Sequence, residues 1–219
     1  TEAFKGSGIS TIVFGGGSQL ETLGSYAFAQ TSNLKTIAVP DSVSRIRDHV
    51  FYKSGVQEAA FGSDSSLTEI GRYAFSGSGI HSAVIPAGVK KVDYYAFADT
   101  EQLQSVDIKN VSDMQIMGNA FYGSGLDSIL LPEGVTYLGE FCFTDCKNLT
   151  GISVADGNKN YASSDGALFN KEKTRLITCP AGKTGAYTVP DTVLSFMSGA
   201  FEGCNLNEIH MSESCKLQT

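Results

Sequence analysis

The sequence lacks the features that mark three large classes of protein. No apolar run approaches the roughly 18 residues that a membrane-spanning helix needs, so no membrane insertion by this chain is expected. Lysine and arginine are dispersed, and acidic residues outnumber them by 23 to 16, which argues against a nucleic-acid-binding surface. Proline is scarce, at 5 residues against 24 glycines, and 42% of the residues are hydrophobic. This composition is neither collagen-like nor disordered, and it favours a packed, turn-rich protein.

An apolar pair that ends in phenylalanine recurs at a nearly constant spacing. The pairs are Ala3-Phe4, Ala27-Phe28, Val50-Phe51, Ala74-Phe75, Ala96-Phe97, Ala120-Phe121, Cys142-Phe143 and Ala200-Phe201. Up to Phe143, successive phenylalanines are 24, 23, 24, 22, 24 and 22 residues apart. A period of this length predicts a solenoid, in which each unit buries its apolar side chains only by stacking on its neighbours.

Each unit contains two short apolar segments that predict parallel strands. In the first segment, as in residues 128–131, inward and outward residues alternate with strand period. The second, as in residues 43–46, is shorter and leads to the next Ala-Phe pair, where we expect a tight turn or a short helical turn. A small residue or cysteine lies three residues after each phenylalanine, and we call this the corner position. The corner positions are Ser7, Thr31, Ser54, Ser78, Thr100, Ser124, Cys146 and Cys204.

Three prolines mark alternate units. Pro40, Pro86 and Pro132 are 46 residues apart, which is two repeats. Each should lie at the exit of a strand, where its missing N–H need not interrupt a hydrogen-bonded ladder.

The regular spacing is interrupted once, at about residues 155–190. Phe143 and Phe201 are 58 residues apart, more than two repeats. Within this stretch, Ala167-Leu168-Phe169 and the run from Arg175 to Pro180 are apolar segments joined by a polar turn, which predicts a β-hairpin in an irregular repeat. Asp156-Gly157-Asn158 begins like a calcium loop but lacks the later ligands, so turn chemistry is favoured.

The residues that usually carry chemistry do not converge on a common site. The histidines His49, His81 and His210 fall at three different positions of the repeat, which predicts surface or edge residues. Buried structural thiols are favoured for the five cysteines, while a disulfide among them and a metal or catalytic thiol stay open as alternatives. The cysteines are Cys142, Cys146, Cys179, Cys204 and Cys215. No catalytic residues, metal site or cofactor are predicted, and an enzyme is not expected.

The outward residues of the first segments form the candidate binding surface, which we call the strand face. If these strands form one continuous sheet, their small and weakly polar outward side chains lie side by side and leave the sheet open to a partner. The alternative is that short Ser and Thr side chains merely suit an exposed strand. The strand face comprises Thr11, Val13, Thr36, Ala38, Glu58, Ala60, Ser82, Val84, Ser105, Asp107, Ser128 and Leu130. Tyr26, Tyr73 and Tyr95 could be aromatic anchors on another edge or packing between coils.

The units resemble the BspA-like leucine-rich repeats of bacterial surface proteins. The resemblance rests on apolar-x-x-apolar-x-apolar-Pro followed by Val-x-x-Ile-Gly-x-x-Ala-Phe and a small residue or cysteine, as in residues 128–139. Residues 165–183 resemble the irregular hairpin repeat of the same family, and only Val50 and Cys142 replace the usual alanine. The resemblance implies a β-rich leucine-rich-repeat solenoid of stacked 22–24-residue units. It also implies secreted or cell-surface proteins of host-associated bacteria and some protists, several of them adhesins, without shared catalytic residues.

The expected function is therefore non-catalytic binding or adhesion outside the cell, with a host or matrix protein as partner. Two alternatives stay open: a structural spacer that presents other domains, and a carbohydrate-binding module that uses the exposed tyrosines. Because the chain starts inside a repeat, we expect residues 1–219 to form a single solenoid domain belonging to a longer protein.

Overall fold

The units stack as predicted, and their regular structure is entirely β-strand. The computed structural model describes residues 1–109 and 112–217. All regular secondary structure within these ranges consists of short strands joined by tight turns. The predicted leucine-rich-repeat solenoid is therefore confirmed, with turns and no helical segments at the Ala-Phe pairs of the described residues.

The first segment of six consecutive units forms a four-residue strand. These strands are β2 (Thr36–Val39), β4 (Glu58–Phe61), β6 (Ser82–Ile85), β8 (Ser105–Ile108), β10 (Ser128–Leu131) and β12 (Gly151–Val154). They are parallel, but they pair as three separate two-stranded ladders, β2 with β4, β6 with β8, and β10 with β12. The hydrogen-bonded row is therefore not one continuous sheet.

Proline explains where this row breaks. Within the paired strands, the residue after the second strand donates back to the first: Lys109 N–H to Ile85 O at 3.1 Å, and Ala155 N–H to Leu131 O at 3.0 Å. Pro86 and Pro132 occupy this position after β6 and β10, and a proline has no N–H to donate. The prediction that these prolines leave the ladder intact is wrong, because each lies at a break in the ladder.

The second segments form the continuous sheet of the molecule. These strands are β1 (Thr22–Leu23), β3 (Arg45–Ile46), β5 (Glu69–Ile70), β7 (Lys91–Val92), β9 (Met114–Ile116) and β11 (Val135–Leu138). They form a parallel six-stranded sheet in the order in which they occur in the chain. The shorter segment of each unit therefore provides the unbroken hydrogen bonding along the stack.

Each Ala-Phe turn places two residues in the left-handed region of backbone conformation. The residue before the pair has φ between 53° and 69°, and the residue two positions after the phenylalanine has φ between 52° and 73°. Glycine adopts this conformation freely, but the residue before the pair is Tyr at 26, 73 and 95 and Phe at 141, for which it is strained. A helix cannot continue through such residues, which is why these segments are tight turns.

Hydrogen bonds to the next coil compensate for this strain. Alternate N–H groups of the turn donate within the turn or to the following coil. Ala29 N–H donates to Tyr26 O at 3.2 Å, whereas Phe28 N–H donates to Val50 O of the next coil at 2.9 Å. In the six turns from Phe4 to Phe121, the phenylalanine N–H is therefore paired only when the next coil is in place.

The phenylalanines form a stack along the core from Phe4 to Phe143. Successive ring centroids are 4.9–5.7 Å apart, and the ring planes lie within 23° of parallel. The six corner positions from Thr31 to Cys146 are buried beside them. At two of these, the hydroxyls of Thr31 and Thr100 each donate to a carbonyl of the same turn at 2.7 Å. The predicted buried ladder of small residues is confirmed.

The irregular repeat is a three-stranded antiparallel meander. Its strands are β13 (Tyr161–Ser164), β14 (Ala167–Asn170) and β15 (Arg175–Thr178), followed by β16 (Thr184–Thr188), β17 (Ser195–Phe196) and β18 (Asn205–His210). The hairpin of β14 and β15 is confirmed, while the hairpin of β13 and β14 was not predicted. Its turn, Asp165-Gly166, has positive φ at both residues, as a two-residue type I′ turn requires.

Phe201 does not belong to the phenylalanine stack. Its ring packs edge-on against Phe196 and Tyr187, with centroids 5.3 and 6.2 Å away. In regular units, the phenylalanine N–H donates to the residue before the next phenylalanine, as Phe121 does to Cys142 O at 3.0 Å. Cys179 N–H makes the same bond to Ala200 O at 2.7 Å. Cys179 therefore occupies the phenylalanine position of the irregular repeat, and the stack stops there.

Asn158 connects the regular stack to the irregular repeat. Its side chain is completely buried, and its amide nitrogen donates to Pro132 O at 2.9 Å and to Val135 O at 3.1 Å. Its amide oxygen accepts the N–H groups of Asn160 and Tyr161, both at 2.9 Å. All four hydrogen-bonding positions of the amide are used. The segment that was expected to form a turn therefore also provides a buried hydrogen-bonded link between two coils.

Replacement of this amide should destabilise the protein strongly. In Asn158→Asp, a carboxylate faces two carbonyl oxygens that have lost their donors, so we expect the free energy of unfolding to fall by about 2–4 kcal/mol. Chemical denaturation followed by circular dichroism measures this change. Asn160→Asp adds the same charge at an exposed neighbouring position and serves as the control. Equal stability of the two variants would contradict the role of Asn158.

Candidate binding surface

All twelve residues of the strand face are exposed. Ten of them lie on β2, β4, β6, β8 and β10, at the outward positions of the alternating burial pattern. Thr11 and Val13, within the described range 1–109, precede β1 and lie outside the strands. The structure thus brings the predicted residues to one side of the stack, although the first unit contributes irregular backbone.

Apolar side chains are exposed in one line across the strand face. Val84 is 44% exposed and Leu130 is 56% exposed. Asp107 pairs with Val84, and Leu130 occupies the equivalent position on the strand after Asp107. Val84 and Leu130 are thus separated by one intervening strand, β8, which carries Asp107 between them. The other outward residues of these strands are the serines at 82, 105 and 128, so a partner can reach both apolar side chains at once.

An open groove of about 720 Å³ adjoins the strand face at the exits of β2 and β4. Val13, Ala38 and Ala60 of the strand face line it together with Phe14 and Phe61. Val13 is 83% exposed, the highest value among the large exposed hydrophobic side chains of the described residues. The sequence pattern did not identify this groove, because Phe14 and Phe61 occupy positions that are inward-facing elsewhere in the repeat.

The continuous sheet carries a network of ion pairs together with one exposed aromatic side chain, Tyr137 on β11, which is 46% exposed. Glu69 lies between Arg45 and Lys91 on neighbouring strands, with N···O distances of 3.8 and 3.6 Å. Lys91 also contacts the buried carboxylate of Asp93 at 2.6 Å, and this hydrogen bond is the main cause of its raised pKa. Arg72 completes the network at 3.8 Å from Asp93. These charges satisfy one another, so this sheet offers a partner less unpaired surface than the strand face does.

Three tyrosines and a histidine form a second aromatic stack, which we call the aromatic ladder. Tyr26, His49, Tyr73 and Tyr95 follow one another with centroids 4.4, 4.9 and 4.8 Å apart. Lys5 Nζ covers the outer face of Tyr26 at 4.9 Å. Both ring faces of Tyr26 and Tyr73 and one face of Tyr95 are occupied, so these tyrosines pack between coils. A sugar ring would need a free aromatic face, which Tyr26 and Tyr73 do not offer.

His49 differs from the surface or edge residue that was predicted. It is half-buried within the aromatic ladder, and its Nδ1 is buried without a hydrogen-bond partner. Burial lowers the pKa of His49, and the neighbouring Asp48 carboxylate opposes this shift. The neutral imidazole is therefore the form that the folded protein favours.

This shift makes stability depend on pH. Because the folded pKa lies below the ordinary value of 6.5, the contribution of His49 is present above that pH and is lost as the pH falls through it. His49→Tyr keeps an aromatic ring in the ladder and removes the titrating group. We expect the free energy of unfolding, measured by denaturant titration from about pH 7.5 to about pH 5, to fall less steeply in the variant.

His81→Gln provides the control for this measurement, because it removes an exposed histidine outside the aromatic ladder. This variant should retain the pH dependence of the wild-type protein. An identical slope for His49→Tyr and the wild type would contradict the assignment.

Two cysteines of the regular stack have the structural character predicted for them. The Cys142 thiol is buried and donates to Gly139 O at 3.1 Å, and burial raises its pKa to about 12. Cys146 occupies a corner position, donates to Phe121 O at 3.0 Å, and has a pKa raised by burial. Neither is a thiolate at neutral pH, so neither is an activated nucleophile.

In residues 1–109 and 112–217, no group of three or more His, Cys, Asp or Glu side chains could hold a metal ion. The same part of the chain contains no helix long and apolar enough to cross a bilayer.

The parallel strands, the Ala-Phe turns and the stacked core define a leucine-rich-repeat solenoid. The chain belongs to the family described as the BspA type leucine-rich repeat region, whose model matches it in six copies over residues 1–115, 68–185 and 181–218. No curated protein matched the chain.

Solved structures of bacterial proteins share this fold. The pneumococcal vaccine antigen PcpA has a TM-score of 0.85 and 26% identity over 91% of this chain and 52% of its own. A leucine-rich cell surface protein of Faecalibacterium prausnitzii has a TM-score of 0.63 and 22% identity over 91% of this chain and 67% of its own. A leucine-rich repeat protein of Eubacterium ventriosum has a TM-score of 0.55 and 25% identity over 82% of this chain and 54% of its own. The chain thus spans about half to two thirds of the length of these proteins.

Proposed function

We propose that the chain is a non-catalytic binding or adhesion module, secreted or displayed on the cell surface, that recognises a protein partner through the strand face. The observation that carries this proposal is the exposure of Val84 and Leu130 in one line on a row of paired strands. Large apolar side chains on an otherwise small-residue surface are the kind of anchor that protein interfaces bury. The adjoining groove at Val13 and Phe61 extends this apolar surface.

The location outside the cell is supported by the relatives. The Faecalibacterium prausnitzii protein is described as a cell surface protein, and PcpA as a vaccine antigen. A module outside the cell contacts the proteins of the surrounding host or matrix, so we propose a host or matrix protein as the partner.

The proposed mode of binding is the docking of a preformed surface. The phenylalanine stack and the continuous sheet hold the units in one register, so little ordering is needed when a partner binds. Val84 and Leu130 would enter apolar pockets of the partner, while Glu58 on the same face contributes a negative charge that the partner must match. The charge of Asp107 is paired with Lys109.

Lysine at the two apolar positions tests this proposal. The double variant Val84→Lys/Leu130→Lys would place two charges in the centre of the interface. We expect it to bind host-surface or matrix proteins at least about tenfold more weakly than the wild-type chain. The measurement is capture of such proteins on the immobilised chain, followed by titration of each captured protein by surface plasmon resonance.

The matched control carries the same charge change on the continuous sheet. Thr68→Lys/Gln115→Lys alters one exposed residue directly before β5 and one on β9, and it should leave binding unchanged. Circular dichroism must show that both double variants are folded. Wild-type affinity of the strand-face variant, or equal loss in the control, would refute the strand face as the binding site.

A structural spacer is the second candidate. The aligned phenylalanine rings and the six-stranded sheet make a stiff column that could hold other domains apart. This function requires no ligand for the chain itself. Failure of the wild-type chain to capture any protein in the same experiment would favour the spacer over the binding module.

A further inference from the structure

Cys179 and Cys204 are brought together by the irregular repeat. Cys179 occupies the phenylalanine position of one coil, and Cys204 occupies the corner position of the next. The Cys204 thiol donates to Cys179 O at 3.1 Å, the same bond that Cys146 makes to Phe121 O at 3.0 Å. The regular register thus continues here, but with a cysteine where other coils have a phenylalanine.

This substitution gives two thiols in consecutive coils. The corner cysteine of the regular stack, Cys146, meets a hydroxyl instead of a second thiol. Its Sγ lies 3.3 Å from Ser124 Oγ. Cys179 is buried, whereas Cys204 is half-buried and is therefore the more exposed of the two.

We propose that Cys179 and Cys204 form a site of oxidative modification, at which a disulfide bond links the irregular repeat to the following coil. The oxidant is a small-molecule disulfide of the glutathione type. The Cys204 thiolate attacks one sulfur of the reagent, which forms a mixed disulfide and releases one reduced thiol. Cys179 then attacks the Cys204 sulfur, which breaks the mixed disulfide and releases the second thiol. Two protein thiols are oxidised, and one reagent disulfide is reduced to two thiols.

The electrostatics agree with this order of attack. The neighbouring Cys204 thiol and burial raise the pKa of Cys179, whereas the neighbouring Cys179 thiol lowers the pKa of Cys204. The more exposed thiol is therefore the one that more readily becomes a thiolate, as the first step requires.

The bond would close residues 180–203 into a loop. This segment contains β16 and β17, and it packs on a small apolar cluster of its own that includes Phe169, Tyr187 and Val193. A covalent link across this cluster restricts the unfolded chain, so it should stabilise the end of the solenoid.

Oxidation of the full chain with glutathione disulfide tests the proposal. After alkylation of free thiols and proteolysis without reductant, we expect a cross-linked pair of peptides containing Cys179 and Cys204. Thermal unfolding should show a midpoint on the order of 5 °C higher for the oxidised than for the reduced chain.

Two serine variants test whether the oxidation is specific to the pair Cys179 and Cys204. Cys204→Ser keeps a corner hydroxyl, as most coils have, and should lose both the cross-link and the thermal shift. Cys146→Ser changes the equivalent corner of another coil and should retain both. Alkylation of Cys179 and Cys204 after oxidation, a link to Cys215 instead, or a thermal shift that persists in Cys204→Ser would each overturn the proposal.

Discussion

The structure depends on hydrogen bonds that each turn can make only to the next coil. In the six turns from Phe4 to Phe121, the phenylalanine N–H donates to the next coil and not within its own unit, as at Phe28, whose N–H donates to Val50 O. The same turns hold bulky residues such as Tyr26 and Phe141 at positive φ, a conformation that costs free energy in isolation. A single unit would be strained and incompletely paired. Stacking supplies the missing bonds and aligns the phenylalanine rings, so the coils are stable only together.

This dependence produces two surfaces of different character. The second segments pair without interruption, and their outward side chains form ion pairs across the strands, as at Arg45, Glu69 and Lys91. The first segments carry a proline in alternate units and pair only in twos, and their outward side chains are mostly small, with Glu58, Val84, Asp107 and Leu130 as the larger ones. The same stacked core therefore supports two surfaces. One is the continuous sheet, whose charged side chains pair with one another, and the other is the strand face, which exposes apolar side chains.

Much of the architecture was predicted from the periodicity of the sequence. Most of the errors came from contacts between units, which the sequence of a single unit does not reveal. Strand positions, the buried corner residues and the hairpin from Ala167 to Thr178 were predicted correctly, because each has a local pattern. The breaks at Pro86 and Pro132 were missed, because they depend on which neighbour the absent N–H would have served. The hairpin at Asp165-Gly166 was also missed, although the Asp-Gly pair is a turn signal in the sequence.

The sequence by itself determined the repeat, its period, the inward and outward positions of each strand, and hence the membership of the strand face. These features recur in every unit and follow from local alternation of apolar and polar residues. Only the tertiary structure decided that His49 lies in the aromatic ladder, that Asn158 links two coils, that Phe14 and Phe61 line a groove, and that the Cys204 thiol contacts the Cys179 carbonyl. Each of these contacts joins residues of different coils. The stacking of the coils determines which coils are in contact. The irregular repeat shifts the register of this stacking.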